Sequence, residues 1–120
     1  MVLEGIVVRG RRLGRTLGFP TANIALDQTL DIESGVYRSR VEVDGRLYWG
    51  VTNVGSNPTV GGGERHVESY ILDFDRDIYG EHIRVELCEL MRSEQRFESV
   101  EALQTQVLSD ISRVREMVLM

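Results

Sequence analysis

Apolar and polar residues alternate along most of this chain, and the period changes only near its end. Residues 3–8 form a first short β run, with Gly5 suited to a bulge or a close backbone contact. Gly35 opens a second run over 36–43. Asp44-Gly45 follows, a two-residue hairpin signal because both positions favour positive φ, and residues 46–54 form its partner strand. Residues 66–74 predict a further strand that places Glu68, Tyr70, Leu72 and Phe74 on one face. In 81–90, Ile83, Val85 and Leu87 share one face while Arg84 and Glu86 take the other. Residues 24–34 lack a clear period and read as a surface segment, and Asp75, Arg76 and Asp77 read as a turn. The period then becomes helical. Val100, Leu103, Val107, Ile111, Val114 and Val118 fall at steps of three and four, one apolar stripe on a helix of about five turns. Ser99 is placed to cap that helix, and Glu101 suits the positive end of its dipole. Short antiparallel strands closed by one helix predict a small, mainly β barrel with a helical cover over an open face.

One stretch stands outside this pattern. Residues 10–23 hold Gly10, Gly14 and Gly18, and four arginines (Arg9, Arg11, Arg12, Arg15) crowd the same region. No acid occurs between Glu4 and Asp27. The spacing of the glycines disfavours strand and helix alike. A cationic, glycine-rich loop suits an anion such as a polyphosphate, and the same composition also suits an ordinary surface loop. Pro20 stiffens its exit. Thr21 and Asn23 come next. Two apart on an extended segment, they point the same way, and two neutral oxygens beside a phosphate loop can complete the coordination of Mg2+.

Composition sharpens this picture. A chain of 120 residues is enough for one domain with its own core. The net charge of −5 argues against general nucleic-acid binding, so the positive charge in the loop is local. The sequence contains no lysine, which excludes the Walker A lysine, the protein-kinase strand lysine and a Schiff base. Cys88 is the single cysteine and is expected to be a buried, reduced thiol. With no membrane-length apolar run and no signal-peptide start at Met1, the cytoplasm is the expected location.

Phosphoryl transfer needs an anion cradle, a metal and an acceptor for the hydroxyl proton. Glu68 is the candidate acceptor, an acid on an otherwise apolar strand face; a solvated strand end is the other reading of the same pattern. Residues 92–97 join the last strand to the helix, and Arg92 with Phe97 can hold a planar ring or simply form a packed linker. The glycines at 61–63 can cover a ligand or merely turn the chain. His66 and His82 stand alone on strands and are not expected to bind metal.

Several motifs together resemble the riboflavin kinase family. The first is Leu17-Gly18-Phe19-Pro20-Thr21-Ala22-Asn23, which carries the family's Pro-Thr-Ala-Asn signature. Gly35-Val36-Tyr37, the run from Asn53 to Thr59, the run from Val67 to Phe74, Ile78-Tyr79-Gly80, and the run from Leu90 to Glu94 with Phe97-Glu98-Ser99 follow in order. The chain is most similar to the kinase module of bacterial bifunctional riboflavin kinase/FMN adenylyltransferases, and no stretch resembles the adenylyltransferase part. The resemblance implies a six-stranded antiparallel (Greek-key, split) β-barrel with a C-terminal α-helix over residues 1–120. It also implies ATP-dependent, Mg2+-dependent phosphorylation of riboflavin to FMN. Glu68 matches the catalytic base. Thr21 and Asn23 match the metal and phosphate ligands, and Gly10, Arg15, Ile71, Asp73 and Tyr79 match further ATP contacts. Arg92, Gln95 and Phe97 match positions around the flavin. Arg15 and Gln95 depart from relatives, which often carry lysine there. The implied partners are riboflavin and ATP, with neither nucleic acid nor membrane. Two other functions fit a small barrel. A non-catalytic flavin- or nucleotide-binding protein would need neither Glu68 nor the Thr21/Asn23 pair. A single-strand nucleic-acid binder would need aromatic platforms and a basic groove, which this composition scarcely supplies.

Overall fold

A computed structural model describes residues 1–8, 21–25, 32–56, 65–74, 76–95 and 97–119. Six strands, β1 (Val2–Val8), β2 (Thr21–Ala25), β3 (Gly35–Val43), β4 (Arg46–Ser56), β5 (Arg65–Ile71) and β6 (His82–Arg92), close into an antiparallel barrel in the order β1-β2-β5-β4-β3-β6. One helix, α1 (Val100–Leu119), follows. The seam between β1 and β2 is short, with Val7 opposite Ile24 and Val8 opposite Asn23.

Alternation puts every second side chain inside the barrel. Leu3, Val7, Ala22, Ile24, Val41, Val54, Val67, Ile71, Ile83, Val85 and Leu87 fill it. Three buried hydroxyls join them: Ser39 Oγ lies 2.6 Å from Thr52 Oγ1, which lies 2.8 Å from Ser69 Oγ. Each finds a partner in the others, which removes most of the cost of burying them. A second apolar cluster lies outside the barrel, where Val107, Ile111 and Val114 of α1 cover Val36, Val51, Tyr70 and Leu72.

The β3–β4 hairpin turns as expected, with Asp44 at φ 52° and Gly45 at φ 76°. Gly5 lies so close to the Ile24 side chain that a Cβ would collide with it. Ser99 caps α1, its Oγ accepting from Ala102 N at 3.1 Å.

Several expectations need correction. The segment from 24 onward is not all surface: Ile24 belongs to β2, and Ile32 is buried in the core. The strand expected over 66–74 ends at Ile71, because the chain turns at Leu72 and Asp73, with Asp73 at φ 56°. Phe74 therefore leaves the Glu68 face and packs edge-on against Tyr48, with ring centroids 4.9 Å apart. Turns lie at Leu72-Asp73 and Tyr79-Gly80; of the turn expected over Asp75, Arg76 and Asp77, Asp75 lies outside the described residues and the other two are not in a turn. Val100, first in the expected stripe, is 50% exposed. Cys88 is only half-buried. It is the extra residue of a register shift, since Leu87 pairs with Ser39 but Glu89 pairs with Arg38. Burial, followed by the nearby Glu86, pushes its thiol pKa up. No helix among the described residues is long and apolar enough to cross a membrane.

Candidate active site

The outer wall of the barrel carries one row of side chains across five strands. Asn23 on β2 is opposite Glu68 on β5, and Glu68 is opposite Asn53 on β4. Asn53 is opposite Val36 on β3, and Val36 is opposite Arg92 on β6. Residues directly opposite in antiparallel strands project to the same face. The neighbouring row runs Thr21, Tyr70, Val51, Arg38 and Glu89. Thr21 and Asn23 thus point the same way, as their spacing predicted, and strand pairing puts Glu68 on that face. Strand separations of roughly 4.8 Å put the Asn23 and Glu68 backbones side by side, and Arg92 comes three strands further round the wall from Glu68.

Two bulges make Arg92 a member of this row. The second follows the one at Cys88: Leu90 pairs with Tyr37 and Arg92 with Val36, leaving Met91 extra. Each shift reverses the in–out order, so the pair restores it. Gly35 allows the close approach. A Cβ there would stand 2.6 Å from Leu90 Cδ1 and 2.7 Å from the Arg92 carbonyl oxygen.

Helix α1 turns the Arg92 end of the row into a recess. Its walls are Val36, Val51, Asn53 and Tyr70 from the barrel, Leu103, Val107 and Asp110 from the helix, and Arg92, Gln95 and Phe97 from the connection. The three residues matched to a flavin site therefore line one recess. The Arg92 guanidinium carbon lies 5.9 Å from the centre of the Phe97 ring. Arg92 is held from behind: its Nε and Nη2 donate to the Asp110 carboxylate at 3.1 and 2.8 Å.

Tyr70 links the recess to Glu68. It is buried. Burial first, then the nearby Glu68 carboxylate, then Asp110, raise the phenol well above its ordinary pKa.

The residues matched to ATP divide into three groups. Asp73 lies past Tyr70, the partner of Thr21, at the end where segment 9–20 enters β2. Its carboxylate accepts from Arg115 of α1 at 3.2 and 3.3 Å. Tyr79 stands at the other foot of that segment, since Gly80 N donates to the Val7 carbonyl of β1 at 2.9 Å. Ile71 points into the barrel core, so only its main chain can reach a ligand. Gly10 and Arg15, together with the glycines at 61–63, lie outside the described residues.

Asn53, Tyr70 and Asp110 were missed as site residues by sequence reasoning. Asn53 and Tyr70 enter the site through strand pairing, which has no local signal. Asp110 did have one, a charge between Val107 and Ile111 on the apolar stripe.

The riboflavin kinase (flavokinase) family model matches residues 1–118. The chain belongs to that family. A relative from Bacillus subtilis strain 168, named RNA-binding riboflavin kinase RibR, is 43% identical over 114 residues, covering 94% of this chain and 49% of that protein. The bifunctional riboflavin kinase/FMN adenylyltransferase of Escherichia coli strain K12 is 44% identical over 117 residues, covering 95% of this chain and 37% of that protein. The chain thus spans half or less of the length of these curated relatives. Among solved structures, riboflavin kinase from Trypanosoma brucei superposes with a TM-score of 0.65 at 29% identity, covering 98% of this chain and 79% of that one.

Proposed function

We propose that this chain phosphorylates the ribityl 5′-hydroxyl of riboflavin with ATP, giving FMN and ADP, and that Glu68 is the general base. The observation that carries the reading is the single outer row in which Glu68 stands between Asn23 and Asn53, with the Arg92 recess at its far end. The isoalloxazine ring would lie in the recess against Phe97, Gln95 and Arg92. Its ribityl chain would run along the row past Asn53 to bring the terminal hydroxyl to Glu68.

Glu68 accepts the hydroxyl proton as that oxygen bonds to the γ-phosphorus. The bond from phosphorus to the β-phosphate oxygen breaks, and ADP leaves with the electron pair. Thr21 and Asn23 would hold Mg2+. Their neutral oxygens are a hard-ion donor set, and among the described residues no group of three or more His, Cys, Asp or Glu could form a cage. Nucleotide oxygens would complete the coordination, and the ion when bound would offset phosphate charge. Asp73, Tyr79, the Ile71 main chain, Gly10 and Arg15 are the proposed ATP contacts. In a longer protein, an adjoining FMN adenylyltransferase would consume the product.

Incubation with riboflavin and Mg-ATP, followed by chromatography, should yield FMN and ADP in equal amounts. Bound flavin without turnover would instead mark a carrier. Thr21→Ala and Asn23→Ala should each raise the Mg2+ concentration needed for half-maximal rate, and unchanged metal dependence in both would remove the metal assignment.

A further inference from the structure

We infer that Asp110, on the covering helix, is a positioning residue that sets the Arg92 guanidinium for the flavin ring. The inference rests on the flavin reading of the recess given above. Asp110 is 1% exposed, the deepest charged side chain among the described residues. Three nitrogen–oxygen contacts bind it to Arg92: Nε to Oδ1 at 3.1 Å, Nε to Oδ2 at 3.3 Å and Nη2 to Oδ2 at 2.8 Å. Gln106, one turn earlier on α1, donates to Oδ1 at 3.0 Å and holds the carboxylate from its other side.

Packing does not account for this arrangement. Val107, Ile111 and Val114 already dock the helix on the barrel, and an apolar residue at 110 would extend that stripe. Replacing a buried ion pair by well-packed apolar side chains is commonly neutral or stabilising. The pair does accomplish something else. It spends the Nε–H and one Nη2–H of the guanidinium on Asp110, and among the described residues Nη1 makes one long contact, 3.4 Å to the Ser93 carbonyl. Nη1 and Nη2 thus each keep an uncommitted N–H, and Arg92 lines the recess with Gln95 and Phe97. A free arginine loses rotamer entropy when a ligand orders it. Here the fork is ordered beforehand, and a planar heterocycle with a ring carbonyl meets a donor already in place. Phe97 beside the guanidinium gives the same heterocycle a face to lie against.

The test measures riboflavin affinity by flavin fluorescence with Mg-ADP present, and steady-state kinetics, for Asp110→Asn, Asp110→Glu, Arg92→Met and Asp110→Asn combined with Arg92→Met. Asp110→Glu keeps the charge and moves it by one methylene, so it serves if the asparagine variant does not fold. Either Asp110 variant should raise the riboflavin Kd roughly tenfold while leaving kcat at saturating riboflavin within about threefold of the parent. In the Arg92→Met background the Asp110 substitution should add no further loss, because its effect passes through Arg92. A parent protein that binds riboflavin while both Asp110 variants bind it equally well overturns the inference alone. So do losses that multiply in the double variant. A parent protein that does not bind riboflavin overturns the flavin reading and this inference with it.

Discussion

Glu68 sits between two carboxamides, Asn23 on one neighbouring strand and Asn53 on the other. An acid so placed can take a proton from a hydroxyl laid along the row. Glu68→Gln keeps the shape and removes the basic oxygen. We expect turnover to fall roughly 10²-fold or more with riboflavin binding largely kept, as read by single-turnover kinetics and flavin fluorescence; full turnover would remove the base assignment. Tyr70 gives a second prediction. Its folded pKa lies above the ordinary value near 10, so the native state holds the phenolic proton more tightly than the unfolded chain. The stability this contributes is fully present below about pH 10 and is lost as pH rises toward the folded value. Ultraviolet titration should show one of the four tyrosines resisting ionisation, and Tyr70→Phe should flatten the alkaline loss of stability. Four tyrosines titrating together near pH 10 would refute it.

At the scale of elements, the hairpin and the helix were legible in the chain because their signals are local. Asp44-Gly45 specifies a turn with two positive φ angles, and it forms. Ser99 announces the helix start, and its hydroxyl accepts from Ala102 N. Ser99→Ala should lower stability by about 1 kcal/mol, visible as a lower Tm, with little effect on kinetic constants. The end of β5 was not legible. The alternation of Tyr70, Leu72 and Phe74 continues past the point where Asp73 adopts positive φ and the chain turns. The bulges in β6 were equally hidden. Cys88 and Met91 lie in an apolar run, and only pairing with β3 leaves each of them extra.

For the whole molecule, the proposed site belongs to no single element. Asn23, Glu68, Asn53 and Arg92 come from β2, β5, β4 and β6, and α1 adds Asp110 behind Arg92. Ligand that binds only this assembled state should stabilise all of it together. Riboflavin with Mg-ADP at a hundred times Kd should add about 2.7 kcal/mol. That is a rise in Tm of roughly 10 °C for a domain of this size. No shift, with the same ligands shown to bind, would mean that the site survives unfolding of the barrel. The chain by itself determined five of its strands in outline, its hairpin, its capped helix and the motifs that carry the family, because φ preferences, alternation and helical period act between near neighbours; β2 and the end of β5 carried no such local signal. Which outward side chains meet was decided only by barrel closure. Strand order and register set those meetings, and both depend on contacts between residues far apart in the chain, which no local pattern records.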